Sequence, residues 1–245
     1  MSIKIFFIIL MLICCVFSSC SPNDNTDISY VADEISLLPA TEDTEPVSAK
    51  IAYITIDDGP SRNNTPAILD ILNESNVRAT FFVLPHFGVD DIYRRIILEG
   101  HEIGNHSYSH EYKNLYGSLE FFREDVLKAQ QFIEEKSGYM ATTFRFPGGA
   151  MSLQQETLAP RAEILADLGY RYFDWNASTG DADGGEASKN PTALTNNIIN
   201  NTRNRERLII LMHDTADKTA TVEALPMIIM NLKEQGYVFD IMANY

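Results

Sequence analysis

An α/β fold, with a parallel sheet covered by helices in a single domain, is what this sequence predicts. Three observations predict it. Apolar runs of about six residues alternate with amphipathic stretches of helical spacing from residue 50 to the end. No shift in composition divides that alternation. The chain has 245 residues, 45% hydrophobic and 22% charged, enough to bury one full-sized core. Such alternation requires parallel strands joined by helical crossovers, either closed into a barrel or left open and doubly wound, and the pattern alone leaves both open. In both, functional groups collect at the carboxyl ends of the strands.

The elements follow in order. The run 51–57 is apolar nearly throughout, as a strand buried on both faces requires. Ile68, Leu69 and Leu72 give 65–76 a helical stripe, and 79–84 is again continuously apolar. Ile92, Tyr93 and Ile96 mark a helix over 90–99, and a short strand follows at 102–106. Phe122, Val126, Ala129 and Ile133 carry a long helix over 118–136. Phe144 and Phe146 alternate in a strand over 143–146, followed by a helix over 155–168 and an aromatic strand over 171–175. Pro191 opens a helix over 191–204, 208–212 is a buried strand, and Leu225, Ile228 and Leu232 stripe a helix over 221–235 before a last strand at 237–242. Gly100, Gly138, Gly169 and Gly236 stand where helices should end. The count is seven strands.

Ahead of this domain, Lys4 and an apolar run over 5–17 lead to Ser18, Ser19 and Cys20. The run is shorter than the roughly 20 residues a spanning helix needs and has the shape of a signal peptide. Residues 16–20 resemble the lipobox of bacterial lipoproteins, whose cysteine is acylated. Cys14 and Cys15 would leave with the signal, and acylation accounts for the lone Cys20. The acidic, polar stretch that follows cannot bury much apolar surface and reads as a tether with a span of about 30 Å. The expected organisation is a signal peptide at 1–19, a tether at 20–48 and a domain at 49–245, exported to the cell envelope, with membrane contact through lipidated Cys20 only. A formal net charge of −15 excludes nucleic acid as a partner and favours a neutral or weakly charged substrate. No repeat or heptad pattern points to an oligomer.

Four predicted strands end in chemically capable residues. Asp57 and Asp58 precede Gly59; alone they read as an acidic turn. His106 and His110 follow the third strand, and a spacing of four would place both imidazoles on one side of a helical turn, suited with a carboxylate to one divalent metal. Arg145 precedes Pro147, Gly148 and Gly149, and fits bidentate contact with a carboxylate. His213 ends the sixth strand, where imidazole suits a general acid. His86 and His101 read as structural. Each site has a bland reading by itself, but accidents would scatter, and these all fall at carboxyl ends in one sheet.

With these residues in hand, the sequence resembles the polysaccharide deacetylase family, also called the NodB-homology or carbohydrate esterase family 4 domain, from about residue 50 to 245. Residues 55–59, Thr-Ile-Asp-Asp-Gly, look like its T-F-D-D-G motif. Residues 106–110 look like H-[ST]-x-x-H, and 211–213 like L-x-H. In the third motif Gly148 stands where the family has an aromatic residue, so an aromatic wall is expected to be lost. In the fourth, Asp181 is aligned with Ala182 in place of tryptophan, Asp174 before Trp175 being the alternative. The resemblance implies a distorted (β/α) barrel of about seven strands. It implies that Asp58, His106 and His110 hold Zn²⁺ or another divalent transition metal, and that Asp57, held by Arg145, is the general base. Gly148 would offer an N–H to the oxyanion, and His213, oriented by Asp181, would protonate the leaving amine. Trp175, Leu211 and Gly148 are expected to line the substrate. The implied reaction removes N-acetyl groups from an acetylated polysaccharide, peptidoglycan N-acetylglucosamine first, or a chitin-like polymer. O-acetyl ester hydrolysis on xylan, amide hydrolysis on a small molecule, and glycan binding without turnover are the competing readings.

Overall fold

The computed structural model describes residues 49–245; the expected signal peptide, Cys20 and the tether lie outside the described residues. Eight parallel strands and seven helices are described: β1 Lys50–Asp57, α1 Asn64–Glu74, β2 Thr80–Val83, α2 Asp90–Leu98, β3 Glu102–Asn105, α3 Tyr112–Gly117, α4 Leu119–Ser137, β4 Thr143–Phe144, α5 Gln155–Asp167, β5 Arg171–Tyr172, β6 Ala177–Ser178, α6 Pro191–Asn201, β7 Arg207–His213, α7 Thr219–Glu234 and β8 Tyr237–Phe239. The sheet order is β5-β4-β3-β2-β1-β7-β6. The expected elements are all present, and each of the four expected terminal glycines has a positive φ between 72° and 83°. Two elements are additional, α3 and the two-residue β6.

β1 is the central strand because it is long, apolar and buried on both faces. Residues 51–57 pair with the whole of β7, Ile51 opposite Arg207 through Asp57 opposite His213. Its other edge is shared: residues 55–57 pair with β2 and residues 50–52 with β8. Closure comes from one segment that changes neighbours. Phe173 N–H donates to Phe144 C=O at 3.0 Å on the β4 side, and three residues later Asn176 N–H donates to Ile209 C=O at 3.0 Å on the β7 side. The result is a distorted barrel.

Alternation along β1 divides the core. Ile54 and Ile56 face the helices and pack with Ile68, Leu72, Leu225 and Ile228, while Tyr53 faces inward with Phe82, Ile209 and Met242. The lower interior is polar but satisfied. Buried Glu102 accepts hydrogen bonds from Thr80 Oγ1 (2.7 Å), Thr143 Oγ1 (2.6 Å) and Ala243 N–H (2.9 Å). This leaves the carboxyl ends of β1, β2, β3 and β7 free to carry loops.

Candidate active site

Arg145 anchors the site from inside the barrel. It is fully buried, and its guanidinium is shared among Thr55 Oγ1 (2.6 Å), Asp57 Oδ1 (2.9 Å) and the carbonyls of Phe173 (3.1 Å) and Asp174 (3.3 Å), with the Phe82 ring 4.2 Å beneath it. A buried cation requires such compensation, and the segment that closes the barrel supplies the two carbonyls. Asp57 is thereby fixed by one oxygen. Its second, Oδ2, faces His106 Nε2 at 3.8 Å.

Asp58 leaves the strand in a left-handed conformation, φ 72°, which turns its carboxylate away from that of Asp57. His106 Nε2 stands 3.4 Å and His110 Nε2 3.5 Å from Asp58 Oδ1. The expected helical turn between the histidines is absent: residues 106–110 form a loop with Ser107 (φ 75°) and His110 (φ 54°) left-handed. Convergence of the two imidazoles comes instead from side chains that bind this loop. Asp125 of α4 accepts the N–H of Tyr108 at 2.6 Å and of Ser109 at 3.0 Å. Asn105 Oδ1 accepts Ser107 N–H at 2.9 Å, and Ser107 Oγ accepts His110 N–H at 3.0 Å. Sequence does not single out Asp125, because it sits on a helix among exposed acids that look alike.

The three groups fit a divalent cation. One ligand atom from each of Asp58, His106 and His110 lies within 4.8 Å of the others. Asp58 Oδ1 is buried without a hydrogen-bond partner, a costly position for a carboxylate oxygen unless something positive meets it. His106 Nδ1 lies 2.9 Å from Arg145 C=O, which can only accept, so the proton is on Nδ1 and the Nε2 lone pair points to the cluster. Donors about 2.0–2.1 Å from a four-coordinate ion stand about 3.4 Å apart, close to the spacings here. Burial would raise the Asp58 carboxyl, but the adjacent His106 imidazole and the other neighbouring histidines hold it down at about 2. Burial and the adjacent His106 lower His110. Ionised carboxylate and neutral imidazole are the ligand forms.

Across the mouth, His213 is held by Asp181. His213 Nδ1 lies 2.8 Å from Asp181 Oδ1, and Asp181 Oδ2 accepts His213 N–H (2.7 Å) and Thr221 Oγ1–H (2.8 Å). Burial would lower the imidazole, but Asp181 raises it to about 9. Asp174, by contrast, caps residues 150–152, its carboxylate accepting Ala150 N–H at 2.8 Å and Met151 N–H at 2.7 Å.

Gly148 is exposed with φ 77°. Gly149 N–H is used by Phe146 C=O at 2.8 Å, while Gly148 N–H has no acceptor among the described residues. The wall expected to be missing there is replaced: a Cβ at Gly148 would meet the Tyr112 ring at 2.7 Å. Tyr112 comes from the additional helix α3, is 49% exposed, and packs edge-on against His110 at 5.3 Å. Trp175 lies half-buried against Gly149 and 5.7 Å from the Arg145 guanidinium. Leu211 is buried in β7 opposite Thr55. His101 is structural, its Nδ1 accepting Ala79 N–H at 3.2 Å; His86 Nε2 donates to Asp58 C=O at 2.9 Å and so braces a residue of the cluster.

Comparison with known proteins gives a consistent picture. Residues 44–173 match the polysaccharide deacetylase family. The chain is 34% identical over 197 residues to a peptidoglycan-N-acetylglucosamine deacetylase of Bacillus cereus, covering 79% of this chain and 87% of that one. It is 32% identical over 188 residues to a peptidoglycan-N-acetylglucosamine deacetylase of Listeria monocytogenes, where the match spans 76% of this chain but 36% of that longer protein. A CE4 esterase of Streptococcus mutans superposes with a TM-score of 0.73 at 32% identity, covering 79% of this chain and 86% of that one.

Proposed function

We propose, from the premise that this chain belongs to the polysaccharide deacetylase family, that it is a metal-dependent hydrolase removing N-acetyl groups from the N-acetylglucosamine of peptidoglycan. The observation that carries this reading is the convergence of Asp58, His106 and His110 beside an Asp57 whose second oxygen is left free by Arg145. A divalent ion held there, Zn²⁺ by its nitrogen and oxygen donor set, would supply Lewis acidity that activates water at neutral pH and polarises the acetamide carbonyl.

The protein's own groups supply the rest. Asp57 Oδ2 takes the proton of the attacking water while Arg145 holds Oδ1, so the base cannot rotate away. The oxygen of the attacked carbonyl gains negative charge and receives the free N–H of Gly148. His213, with Nδ1 fixed by Asp181, presents Nε2 to the departing nitrogen and is protonated at neutral pH, the state a general acid must be in. Acetate and a free amino sugar result. Lipidation of Cys20 and the acidic tether would hold this domain in the envelope, next to such a polymer; among the described residues no helix is long and apolar enough to cross a membrane.

Acetate release from peptidoglycan and from N-acetyl-chitooligosaccharides, after chelation and after adding Zn²⁺ back, tests the reading. Metal-dependent release of acetate with appearance of free amines is the expected result. Release from acetylated xylan alone would transfer the activity to ester hydrolysis.

A further inference from the structure

One peptide unit at the rim of the site is hydrogen-bonded at its carbonyl and free at its N–H. Phe146, Pro147, Gly148 and Gly149 form a tight turn, closed by Gly149 N–H on Phe146 C=O at 2.8 Å. Proline in its second place and a glycine with φ 77° in its third make this a type II turn. The type I turn differs by rotation of the middle peptide through about 180°. Gly148 is free to take either form, because a residue without Cβ adopts positive and negative φ about equally. That middle peptide joins Pro147 C=O to Gly148 N–H, the donor that has no acceptor among the described residues.

Tyr116 selects one of the two forms. Its hydroxyl donates to Pro147 C=O at 2.5 Å. In a planar trans peptide the C=O and N–H point in opposite directions, so the bond that draws the carbonyl to Tyr116 turns Gly148 N–H away from it. Pro147 is buried, and a carbonyl left there without a donor is costly. Tyr116 is itself held. It lies one turn after Tyr112 on α3, the two rings 6.0 Å apart, and the Arg161 guanidinium is 5.9 Å from its ring centre. Buried Arg161 donates from Nε to Leu115 C=O at 2.8 Å and from Nη1 to Thr157 C=O at 2.7 Å, which ties α3 to α5. Burial pushes the phenol further above its ordinary value of 10, so it remains a donor at any working pH. Both tyrosines therefore grip one peptide: the Tyr112 ring packs on Gly148 and His110, and Tyr116 holds the carbonyl.

We propose that Tyr116 is a positioning residue for the reaction, its hydroxyl fixing the Pro147–Gly148 peptide so that Gly148 N–H faces the oxygen that gains negative charge. The inference rests on the deacetylase reading and deepens it. A donor on the carbonyl also polarises the amide, which strengthens the N–H at its other end. Gly148 has no side chain that could fix this peptide, and α3 supplies the hold instead.

The test compares the native chain with Y116F, which keeps the ring and removes only the hydroxyl. Acetate release from peptidoglycan, zinc affinity and the urea midpoint are measured for both. The zinc-loaded chains, carrying isotope-labelled glycine, are also titrated with sodium acetate while the Gly148 amide resonance is followed by NMR. A net hydrogen bond is worth about 3- to 10-fold, so kcat should fall by that factor with KM and zinc affinity unchanged. Acetate should move the Gly148 amide proton downfield in the native chain, and Y116F should lose most of that response. No response, an equal response in both chains, or a fall in kcat matched by loss of zinc would overturn the positioning role. The amide response is independent of turnover. A response that depends on Tyr116, with no acetate released by either chain, removes the deacetylase and leaves the hold standing, whereas equal release by both chains does the reverse.

Discussion

Asp57 and His213 are register partners across β1 and β7, so the two proton-handling side chains leave adjoining strands at one level and on one face of the sheet. Each is held by a buried partner of opposite charge, Asp57 by Arg145 and His213 by Asp181. The ladder thus sets the spacing of base and acid, and the partners set their orientation.

The first prediction concerns pH. Against the opposing effect of burial, Asp181 raises His213 above its ordinary value of 6.5 to about 9. A raised histidine contributes stability that is complete below pH 6.5 and is lost as pH rises through about 9. The metal-free chain should therefore lose on the order of 3 kcal/mol across that window, followed by thermal melts. D181N should flatten the dependence and move the alkaline limb of activity to lower pH. Asp214, pushed up by burial to about 7, acts in a separate window between 3.8 and 7, in which stability also falls as pH rises.

A second prediction follows from Asp125, which orders the loop of both histidines without touching the cluster. D125A leaves two N–H groups unpaired and should weaken Zn²⁺ binding by about 10- to 100-fold, the size usual for supporting hydrogen bonds around ligands. Zinc titration of the native and variant chains measures it, and an unchanged affinity would show that the loop holds its shape alone.

How much of this is legible in the sequence depends on the element. β1 and β7 are plain because strands buried on both faces must be continuously apolar, and the residues at their ends therefore stand out. α3 is not, since Leu115 is its one buried residue and gives no stripe, and β6 is two residues long. The spacing of His106 and His110 suggests a helical turn, but Ser107 and His110 adopt left-handed φ that spacing cannot reveal. Tyr112 is hidden for a third reason. It reaches Gly148 across the fold, so only tertiary structure shows a ring where the sequence shows a glycine.

Tyr112 gives the third prediction. Its exposed ring stands at the rim beside His110, placed to support a sugar face. Y112A should raise KM on a polysaccharide by about 5- to 10-fold, roughly 1 kcal/mol, with kcat less affected, while Y112F should behave like the native chain. A fall confined to kcat would place the phenol in the chemistry instead.

The fourth concerns Gly59, whose α-carbon packs on the buried carboxylate of Asp214, itself hydrogen-bonded to Thr65 Oγ1. A Cβ at position 59 would fall well inside contact distance of both carboxylate oxygens of Asp214. G59A should cost about 1–3 kcal/mol or more, read as a lower urea midpoint, and should disturb Asp58 next door.

The central claim is that Asp57 is the base and that Asp58, His106 and His110 hold the ion. The most direct measurement pairs zinc content with acetate release from peptidoglycan for the native chain, D57N and H106A. D57N should keep its zinc and lose about 10²–10⁴ in rate, and H106A should lose both zinc and rate. Native turnover in D57N, or full zinc in H106A, would contradict the assignment.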